Sequence, residues 1–557
     1  MCRLSLLLVS LSLLLMLGLS STARAQGTTG GARFGDDDRQ KMGPQYSASM
    51  GSVTVQDRQL YRLSLRPEIP LGKLAVAFDV ELFIGEDGDF QSRGWSFDTT
   101  AETFDTFLRK IYYVRYGEPG DPVFVRVGAL DRVTLGYGLI MDRYRNTLDY
   151  PGVKNTGVRF QFEGINGSSF GLECMVSNLQ DLEEGGALVG LRLFNRPMPK
   201  LEVGLTYVVD LDQYAGLLDR DGDGFPDDVD AFPKNKDLAL DNDGDGISDN
   251  FDVDDDNDGK IDIDVDSGLP LEVIDGLTAL ESDDFVVDRN VQRRTPFNKT
   301  RVGSDPFGIL GVDVGYHIFD DGRLSLTLYG QVAVMIDDDD KLSLAAADSQ
   351  GVAPGNRKAD GFGLMAPGLW AKMGPFDARI EYRYFQDDFD AGYFDNLYDV
   401  DRARLDVATG RAEPKDARLR RGENLNGLYG RFVTDLFGLA QGSADYQHMV
   451  GDDEPQRQLH AEADLSEQLL TMVPRLRRAS AYYQKNNIGN RLDKDGTRGS
   501  DDGFFESTED TFYGYNVGFE MAGGVAVVWD TRFLFVRAAD GRLDRRKVMS
   551  IETVFSF

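Results

Sequence analysis

The sequence is poor in cysteine and histidine, with 2 cysteines and 3 histidines among 557 residues. Cys2 precedes an N-terminal apolar run and is expected to be removed with it, which leaves Cys174 as the single thiol. A single thiol excludes an intramolecular disulfide framework. His317, His448 and His460 lie beside no plausible nucleophile, and a lone histidine in a strand is far more often structural than a catalytic base. We therefore predict that the protein is not an enzyme and assign no catalytic residue.

Basic residues are scarce relative to acidic ones. Lys and Arg total 60 against 93 Asp and Glu, and the net charge is -33. Between Asp210 and Asp266 there are 21 aspartates and only 4 lysines or arginines. Nucleic-acid binding requires a basic footprint, so this partner class is excluded. Acidity concentrated in one segment indicates local cation binding instead.

Long apolar runs are missing after the N-terminus. The one such run extends from Leu4 to Leu17, follows Arg3 and precedes the small-residue motif Ala23-Arg24-Ala25. This order is typical of a secretory signal peptide, and the run is too short to be preferred as a spanning helix. We predict that residues 1–25 are a signal peptide and that residues 26–50 form an irregular segment or a first strand.

The rest of the chain shows strand periodicity rather than a helical period. In Leu74 to Leu82, the alternate residues Leu74, Val76, Phe78, Val80 and Leu82 are apolar and share one face. An alternation of period two predicts strands with one apolar and one polar face. The pattern recurs in 158–163, 170–176, 201–209, 310–318, 324–336, 378–384, 428–436 and 549–557.

The connections between these strands fall into two length classes. Short turns are expected near 67–72, 118–120, 165–168, 195–200, 320–322, 374–375 and 522–524. Long loops are expected near 85–106, 141–156, 210–307, 337–360, 386–425 and 486–510. Tight periplasmic turns and long extracellular loops are typical of bacterial outer-membrane barrels. A soluble all-β fold is the alternative.

The last strand strengthens this interpretation. Met549, Ile551, Thr553, Phe555 and Phe557 share one face. This strand resembles the C-terminal signal of outer-membrane barrel proteins, which implies the barrel assembly machinery and outer-membrane lipid as partners. The chain is similar to porins in architecture. We predict an all-β transmembrane antiparallel barrel of 16–20 strands, with 18 or 20 preferred and a tight turn at 56–58.

The predicted barrel has two parts separated by an insertion. Residues 51–209 and 308–557 supply the strands, and residues 210–307 form an extracellular insertion. A barrel of this size is too wide for side chains alone to fill, so it either conducts solutes or is plugged by its own loops. The polar strand faces carry charges of both signs, which we expect mostly to pair across strands. These residues are Arg62, Asp79, Glu81, Arg115, Arg126, Arg159, Glu163, Glu173, Arg192, Glu202, Asp313, Arg379, Glu381, Arg383 and Arg431.

The insertion contains three similar aspartate-rich repeats within residues 219–266. Alternate carboxylates followed by a glycine and later acids form an oxygen cage of the kind that Ca²⁺ prefers. The first repeat has Asp219, Asp221, Asp223, Asp227 and Asp230, and the second has Asp241, Asp243, Asp245, Asp249 and Asp252. The third has Asp254, Asp256, Asp258 and Asp262, but Val265 stands at its closing position, so we expect a weaker third site.

The spacing of the repeats excludes EF-hands, because only Val253 separates the second repeat from the third and no helix fits there. The alternating short and long spacing resembles thrombospondin type 3 repeats, which wind around a row of calcium ions. The resemblance covers about 50 residues and lacks the cysteines of the animal version. A disordered acidic tract is the alternative.

Three functions remain open at this stage. The first is a porin-like channel for small solutes whose external loop binds Ca²⁺. The second is a calcium-dependent surface adhesion or structural protein that uses the barrel as an anchor. The third is a membrane-embedded hydrolase. Residues 167–171 match G-x-S-x-G but lie at an apparent hairpin turn, where that motif requires a strand, a sharp turn and a helix. The loop at 386–425 is basic and either docks on the acidic insertion, docks on lipid phosphates, or is solvated.

Overall fold

The computed structural model describes a defined set of residues. They are 45–55, 58–84, 90–91, 110–130, 132–147, 155–164, 169–219, 221–249, 251–252, 261–262, 287–288, 296–321, 324–337, 359–406, 410–419, 424–436, 440–451, 455–465, 470, 475–488, 503–522, 525–537 and 543–556. The predicted signal peptide, most of the predicted 26–50 segment and the residues of the G-x-S-x-G match at 167–168 lie outside these ranges.

The described chain is built almost entirely of strands. They are β1 (Gln45–Val55), β2 (Arg58–Leu71), β3 (Leu74–Phe78), β4 (Val80–Ile84), β5 (Phe90–Gln91), β6 (Ile111–Tyr116), β7 (Val123–Gly128), β8 (Val133–Leu135), β9 (Met141–Tyr144), β10 (Gly157–Glu163), β11 (Phe170–Val176), β12 (Leu188–Met198), β13 (Leu201–Asp210), β14 (Ile261–Asp262), β15 (Val287–Asp288), β16 (Phe307–Asp320), β17 (Leu324–Asp337), β18 (Gly361–Met373), β19 (Phe376–Asp387), β20 (Ala403–Asp406), β21 (Arg411–Pro414), β22 (Leu425–Leu436), β23 (Ala440–Val450), β24 (Gln456–Leu465), β25 (Leu476–Ile488), β26 (Thr511–Ala522), β27 (Val525–Arg537) and β28 (Leu543–Ser556).

The main sheet closes on itself. Among the described residues it contains 22 strand segments, and β28 pairs antiparallel with β1, from Ser47 opposite Ser556 to Val53 opposite Ser550. β3 and β4 are two halves of one barrel strand that is interrupted at Asp79, and the two-residue β5 pairs only with β4 among the described residues. The 22 segments therefore form twenty barrel strands. The fold is therefore a closed antiparallel barrel within the predicted range of strand number.

The two ends of the barrel differ in the length of their connections, as predicted. Gly72 and Lys73 join β2 to β3, and Pro199 and Lys200 join β12 to β13. At the other end, residues 211–306 separate β13 from β16, and residues 388–424 separate β19 from β22. Shorter connections also occur at this second end: Val55 pairs with Arg58, five residues separate β23 from β24, and five separate β27 from β28. The pairing of Val55 with Arg58 agrees with the tight turn predicted at 56–58.

The wall of the barrel is apolar outside and polar inside. On β16, Val312, Val314, Tyr316 and Ile318 are 45%, 45%, 46% and 41% exposed, whereas Asp313 between them is 1% exposed. A soluble protein distributes these residue types in the opposite way. The alternation is that of a transmembrane barrel strand, which places apolar side chains against lipid and polar ones in the lumen.

Helices are few and short in the described ranges. They are α1 (Leu179–Glu184), α2 (Lys299–Val302) and α3 (Tyr398–Asp401), with 3₁₀ turns at Gln213–Gly216 and Asp416–Arg418. Within the part of the chain described, no helix has the length and apolar character needed to span a membrane. Small two-stranded sheets are formed by β8 with β9, β14 with β15, and β20 with β21.

The main apolar cluster lies inside the barrel rather than between sheet layers. Buried residues of the segment that carries β8 and β9, among them Leu139 and Ile140, pack with Phe394 from the loop after β19 and with wall residues such as Ile309. Chain segments from the long-loop end therefore fold into the lumen and build a core there. This core determines where the functional regions of the molecule lie.

Candidate functional site

The first aspartate repeat forms a compact loop. Carboxylate oxygens of Asp219, Asp221 and Asp223 all lie within 4.8 Å of one another. Asp219 accepts hydrogen bonds from the backbone N–H groups of Gly222 and Gly224, at 2.8 and 2.9 Å. Both glycines have positive φ, 78° and 97°, a conformation that other residues rarely adopt. The glycines thus allow the chain to curl so that alternate carboxylates face one point.

The second repeat has the same geometry. Oxygens of Asp241, Asp243 and Asp245 lie within the same 4.8 Å limit. Asp241 accepts from the N–H groups of Gly244 and Gly246 at 2.7 and 2.9 Å, and these glycines have φ values of 78° and 91°. The later acids also correspond: the N–H of Asp227 donates to Leu218, and the N–H of Asp249 donates to Leu240. The repeated sequence therefore produces a repeated fold.

The two repeats differ in burial. Asp230, which closes the first loop, is 7% exposed. Its Oδ1 accepts from the N–H of Phe232 at 2.7 Å, while its Oδ2 has no hydrogen-bond partner among the described residues. Burial, with added repulsion from Asp223 and other carboxylates of the loop, raises the pKa of Asp230 to about 6. Burial also raises the pKa of Asp223.

These features fit an oxygen-ligated cation. An unsatisfied buried carboxylate oxygen beside further carboxylates is unfavourable without a compensating positive charge. The donor set consists entirely of hard oxygens on a flexible loop, which suits Ca²⁺ better than a transition metal. Asp219, Asp221, Asp223, Asp227 and Asp230 would hold one ion, and Asp241, Asp243, Asp245, Asp249 and Asp252 a second.

The third repeat lies mostly outside the described residues. Asp254, Asp256 and Asp258 are among the residues whose structure is not described, and Asp262 belongs to β14, which pairs in parallel with β15. The weaker third site and the likeness to thrombospondin type 3 repeats stay predictions.

A second functional region lies in the lumen, where residues 132–147 form an inner hairpin around β8 and β9. At its tip, the Tyr137 ring stacks on Tyr329 of the wall, with ring centroids 4.3 Å apart. Gln331 of the wall accepts from the N–H groups of Tyr137 and Leu139, both at 3.3 Å. The tip of the hairpin is therefore fixed to β17.

The base of the inner hairpin is fixed by ion pairs to other barrel strands, β23 and β24. Arg143 donates to both carboxylate oxygens of Asp445 on β23, at 2.8 and 3.1 Å. Arg132 donates to Glu462 on β24 at 2.8 Å. His460 lies between these acids, 3.0 Å from each carboxylate. The hairpin therefore crosses the lumen between β17 and the β23–β24 region.

The lumen loop, residues 388–419, packs against this hairpin. Backbone hydrogen bonds join Gly392 to Leu139 at 2.8 Å and Phe394 to Ile140 at 3.2 Å. The side chains of Tyr393, Phe394 and Tyr398 are fully buried. Together the lumen loop and the inner hairpin occupy part of the lumen.

Basic residues of the lumen loop pair mainly within the barrel. Arg402 forms a 2.6 Å ion pair with Asp210, the first residue of the predicted insertion. Arg404 and Arg418 each contact Asp401 at 2.7 Å. Asp210 is the last residue of β13, so Arg402 binds the barrel wall, while Arg404 and Arg418 bind an acid of their own loop and Arg404 also contacts Asp510 at 3.0 Å. Docking of this loop on the acidic insertion stays a prediction.

Charges on the inner wall also pair, both across strands and within one strand. Arg192 of β12 contacts Asp313 of β16 at 2.7 Å and Glu202 of β13 at 2.8 Å, and Arg383 contacts Glu381 of the same strand, β19, at 2.6 Å. These pairs agree with the expectation that most inward charges are satisfied by neighbours. Arg383 also lies 3.8 Å from the ring of Tyr429.

Sequence reasoning did not locate the inner hairpin or its anchors. Gly136 and Gly138 at its tip, with φ values of 62° and 92°, are the local signal for a tight turn. They do not indicate a turn that points into the lumen, because that depends on contacts with residues nearly 200 positions away.

Each of the three histidines contacts a hydroxyl group or a carboxylate. His317 lies 3.0 Å from the hydroxyl of Thr327, and His448 lies 3.2 Å from the hydroxyl of Tyr446. His460 contacts the two carboxylates described above.

Comparisons with known proteins give only low similarity. No family model matches the sequence, and no curated protein matches it. Among solved structures, OccK5 (OpdH) of Pseudomonas aeruginosa is 8% identical, with 92% of this chain and 96% of that chain covered and a TM-score of 0.30. The FrpB iron transporter of Neisseria meningitidis is 9% identical (92% and 81% covered, TM-score 0.33), and the copper transporter OprC is 10% identical (92% and 80% covered, TM-score 0.34). Values this low carry no argument about what this chain does.

Proposed function

We propose that the protein is an outer-membrane channel for small solutes whose external loop binds calcium. The observation that carries the channel proposal is the alternation on β16, where four apolar side chains more than 40% exposed flank the buried Asp313. Burying that apolar face against lipid is favourable, and in water it would be a large exposed patch.

The lumen supports a conducting role. Twenty barrel strands enclose a lumen that the side chains of the wall alone do not fill. Its lining is polar and includes the paired charges of Arg192 with Asp313 and Arg383 with Glu381. Such a surface favours hydrated polar solutes over apolar ones. The inner hairpin and the lumen loop narrow the passage and act as its size filter.

The calcium proposal rests on the two superposable aspartate loops and on the unsatisfied buried oxygen of Asp230. Each loop supplies five acids, and Ca²⁺ accepts six to eight oxygens with water completing the shell. The insertion belongs to the end with the long loops, which faces outward in outer-membrane barrels. Extracellular modules function with weak sites at roughly millimolar calcium.

The test uses the purified full-length chain in two measurements. In planar bilayers, the channel proposal predicts discrete conductance steps, and a silent barrel at every voltage would contradict it. In detergent micelles, calorimetry with CaCl₂ should show binding that is lost when both aspartate triplets, 219/221/223 and 241/243/245, are changed to asparagine. If the heat of CaCl₂ binding is the same in this variant as in the parent, the calcium proposal is contradicted and the channel proposal is not.

A surface-contact role is the second candidate, and it is favoured by one observation. In the second repeat, Ile247 is 47% exposed and Phe251 is 73% exposed. Exposed apolar residues beside a cation site form a contact surface when the loop is ordered. Calcium-dependent binding of vesicles carrying the barrel to bacterial cells, lost in the double variant Ile247→Ser and Phe251→Ser, would support this role. Equal binding by the variant would oppose it.

A further inference from the structure

The two aspartate repeats differ in their contacts with α2. The carbonyl of Gly224 in the first repeat accepts from the N–H of Lys299 at 2.7 Å. A Cβ added at Gly224 would lie 2.7 Å from Oδ1 of Asn298 and 2.8 Å from Cγ2 of Thr300. The matching Gly246 of the second repeat has nothing within 4 Å of that position. The first repeat is thus packed against α2, whereas Gly246 of the second repeat has no such contact among the described residues.

Residues 296–302, here termed the clasp, connect the first repeat to the barrel. Lys299 Nζ lies 3.2 Å from Asp212 Oδ2. The ring of Phe297 is fully buried, 4.6 Å from that of Tyr214, and both rings pack with Ala403 and Ala412 of the lumen loop. The N–H of Phe297 also donates to the carbonyl of Gly410 at 2.6 Å. The clasp therefore holds the lumen loop directly.

From there the contacts continue into the lumen. Arg402 and Tyr398 of the lumen loop both bond to Asp210 at 2.6 Å. Further along, Phe394 contacts Ile140 of the inner hairpin. A continuous series of hydrogen bonds and packed rings thus runs from Gly224 to the hairpin that crosses the channel.

We propose that a calcium ion in the first aspartate loop holds the clasp and the lumen loop in the closed arrangement, so that losing this ion opens the channel. This inference rests on the proposed calcium function. The second repeat, with no comparable connection to the clasp, does not control the channel.

The physical basis is a difference in ion affinity between two arrangements. Asp230 is nine-tenths buried, and its Oδ2 has no hydrogen-bond partner among the described residues. Its carboxylate is repelled by those of Asp221 and Asp223, which cluster with that of Asp219. Without a cation these carboxylates repel, and the loop relaxes by separating them. Because Gly224 lies within this loop and is bonded to Lys299, that relaxation displaces the clasp. A ligand shifts a conformational equilibrium only through such a difference in affinity.

The experiment measures single-channel conductance of the full-length chain in phosphatidylcholine bilayers, first in CaCl₂ and then after EGTA. Chelation should raise the ratio of open to closed time by about tenfold, within the range usual for coupled sites. The variant Asp219→Asn, Asp221→Asn, Asp223→Asn loses both the ion and the repulsion between these carboxylates, so its ratio of open to closed time should be the same in both conditions. Its matched control, Asp241→Asn, Asp243→Asn, Asp245→Asn, should respond like the parent.

Two further variants separate ion binding from transmission. Gly224→Ala collides with the clasp, whereas Gly246→Ala introduces the same backbone strain without a collision, and Lys299→Ala removes the pair with Asp212 without touching a proposed ligand. Gly224→Ala and Lys299→Ala should weaken the response to EGTA, and Gly246→Ala should keep it. Calorimetry on the same samples reports whether calcium still binds.

The outcomes are distinguishable. If the parent binds calcium but its conductance ignores EGTA, the coupling is overturned and the calcium proposal stands. If the two triplet variants behave alike, the special role of the first loop is overturned. If the parent binds no calcium, both proposals fail together.

Discussion

Arg143 of the inner hairpin forms a bidentate ion pair with the carboxylate of Asp445 on β23, with N–O distances of 2.8 and 3.1 Å. The pair joins a segment from the long-loop end to the barrel wall, 302 residues away in sequence. Arg143 also has a left-handed φ of 55°, a conformation that costs free energy in a residue with a side chain. The contact with Asp445 therefore compensates for local strain and fixes the base of the hairpin.

Removing this contact should release the hairpin. We predict that Arg143→Ala raises single-channel conductance, because it removes both hydrogen bonds that hold the hairpin base to Asp445 and leaves His460 as the remaining contact of this buried carboxylate. The double variant Arg143→Ala, Asp445→Ala should destabilise the barrel less than the sum of the single changes. Conductance equal to that of the parent in both variants would show that the hairpin does not obstruct flow.

The outer face should tolerate charge poorly. Val314→Arg on β16 is expected to cost about 2–4 kcal/mol in urea unfolding from liposomes, the usual cost of arginine at a bilayer midplane. Val400→Arg is the matched control, because Val400 is 37% exposed, close to the 45% of Val314, but belongs to α3 in a loop. Equal effects at the two positions would argue against lipid contact at Val314.

Replacing Asp230 by asparagine should stabilise the first loop without calcium and weaken calcium binding. In Asp230→Asn the charge repulsion is removed, so the metal-free first loop should resist protease better than in the parent. With calcium present, the lost carboxylate should weaken binding by about 10- to 100-fold, a usual cost around metal sites. Calorimetry and timed proteolysis of the full-length chain check both signs, and the same sign in both conditions would exclude Asp230 from the ion's surroundings.

Asp390 should make the lumen loop less stable at high pH. Burial raises the pKa of its carboxyl to about 6, with Asp395 adding repulsion. For an acid with a raised pKa, the ionised form is disfavoured in the folded state, so stability falls as the pH rises through about 6. Asp390→Asn should therefore protect the loop from protease at pH 8 and make no difference at pH 4. Asp320→Asn, at the exposed end of β16, is the control and should change neither result.

The barrel could be predicted from sequence because strand alternation is local. Val312, Val314 and Tyr316 show their common face without any knowledge of neighbouring strands. The turn at 56–57 and the sorting of loops by length follow from the same pattern. The aspartate loops were likewise recognisable, because the offsets from Asp219 to Gly224 and from Asp241 to Gly246 are short-range features that reappear in the structure as matched hydrogen bonds.

The interior of the barrel could not be predicted in the same way. The inner hairpin is located by Tyr137 on Tyr329 and by Arg143 on Asp445, and both contacts join residues far apart in the chain. Glycine spacing indicates that a turn exists but not which way it points. The clasp is similar: Phe297 is an ordinary apolar residue in sequence, and its role arises from its packing on Tyr214 and Gly410.

The central claim is that lipid covers the outer face of the strands, and nitroxide accessibility along β16 tests it most directly. Single cysteines at 312, 313 and 314, introduced into a Cys174→Ser chain and spin-labelled in liposomes, report their exposure to oxygen and to a water-soluble nickel chelate. We predict high oxygen accessibility together with low nickel-chelate accessibility at 312 and 314. Position 313 should not show this combination. Preferential access of the nickel chelate to positions 312 and 314 would place them in water and contradict the account.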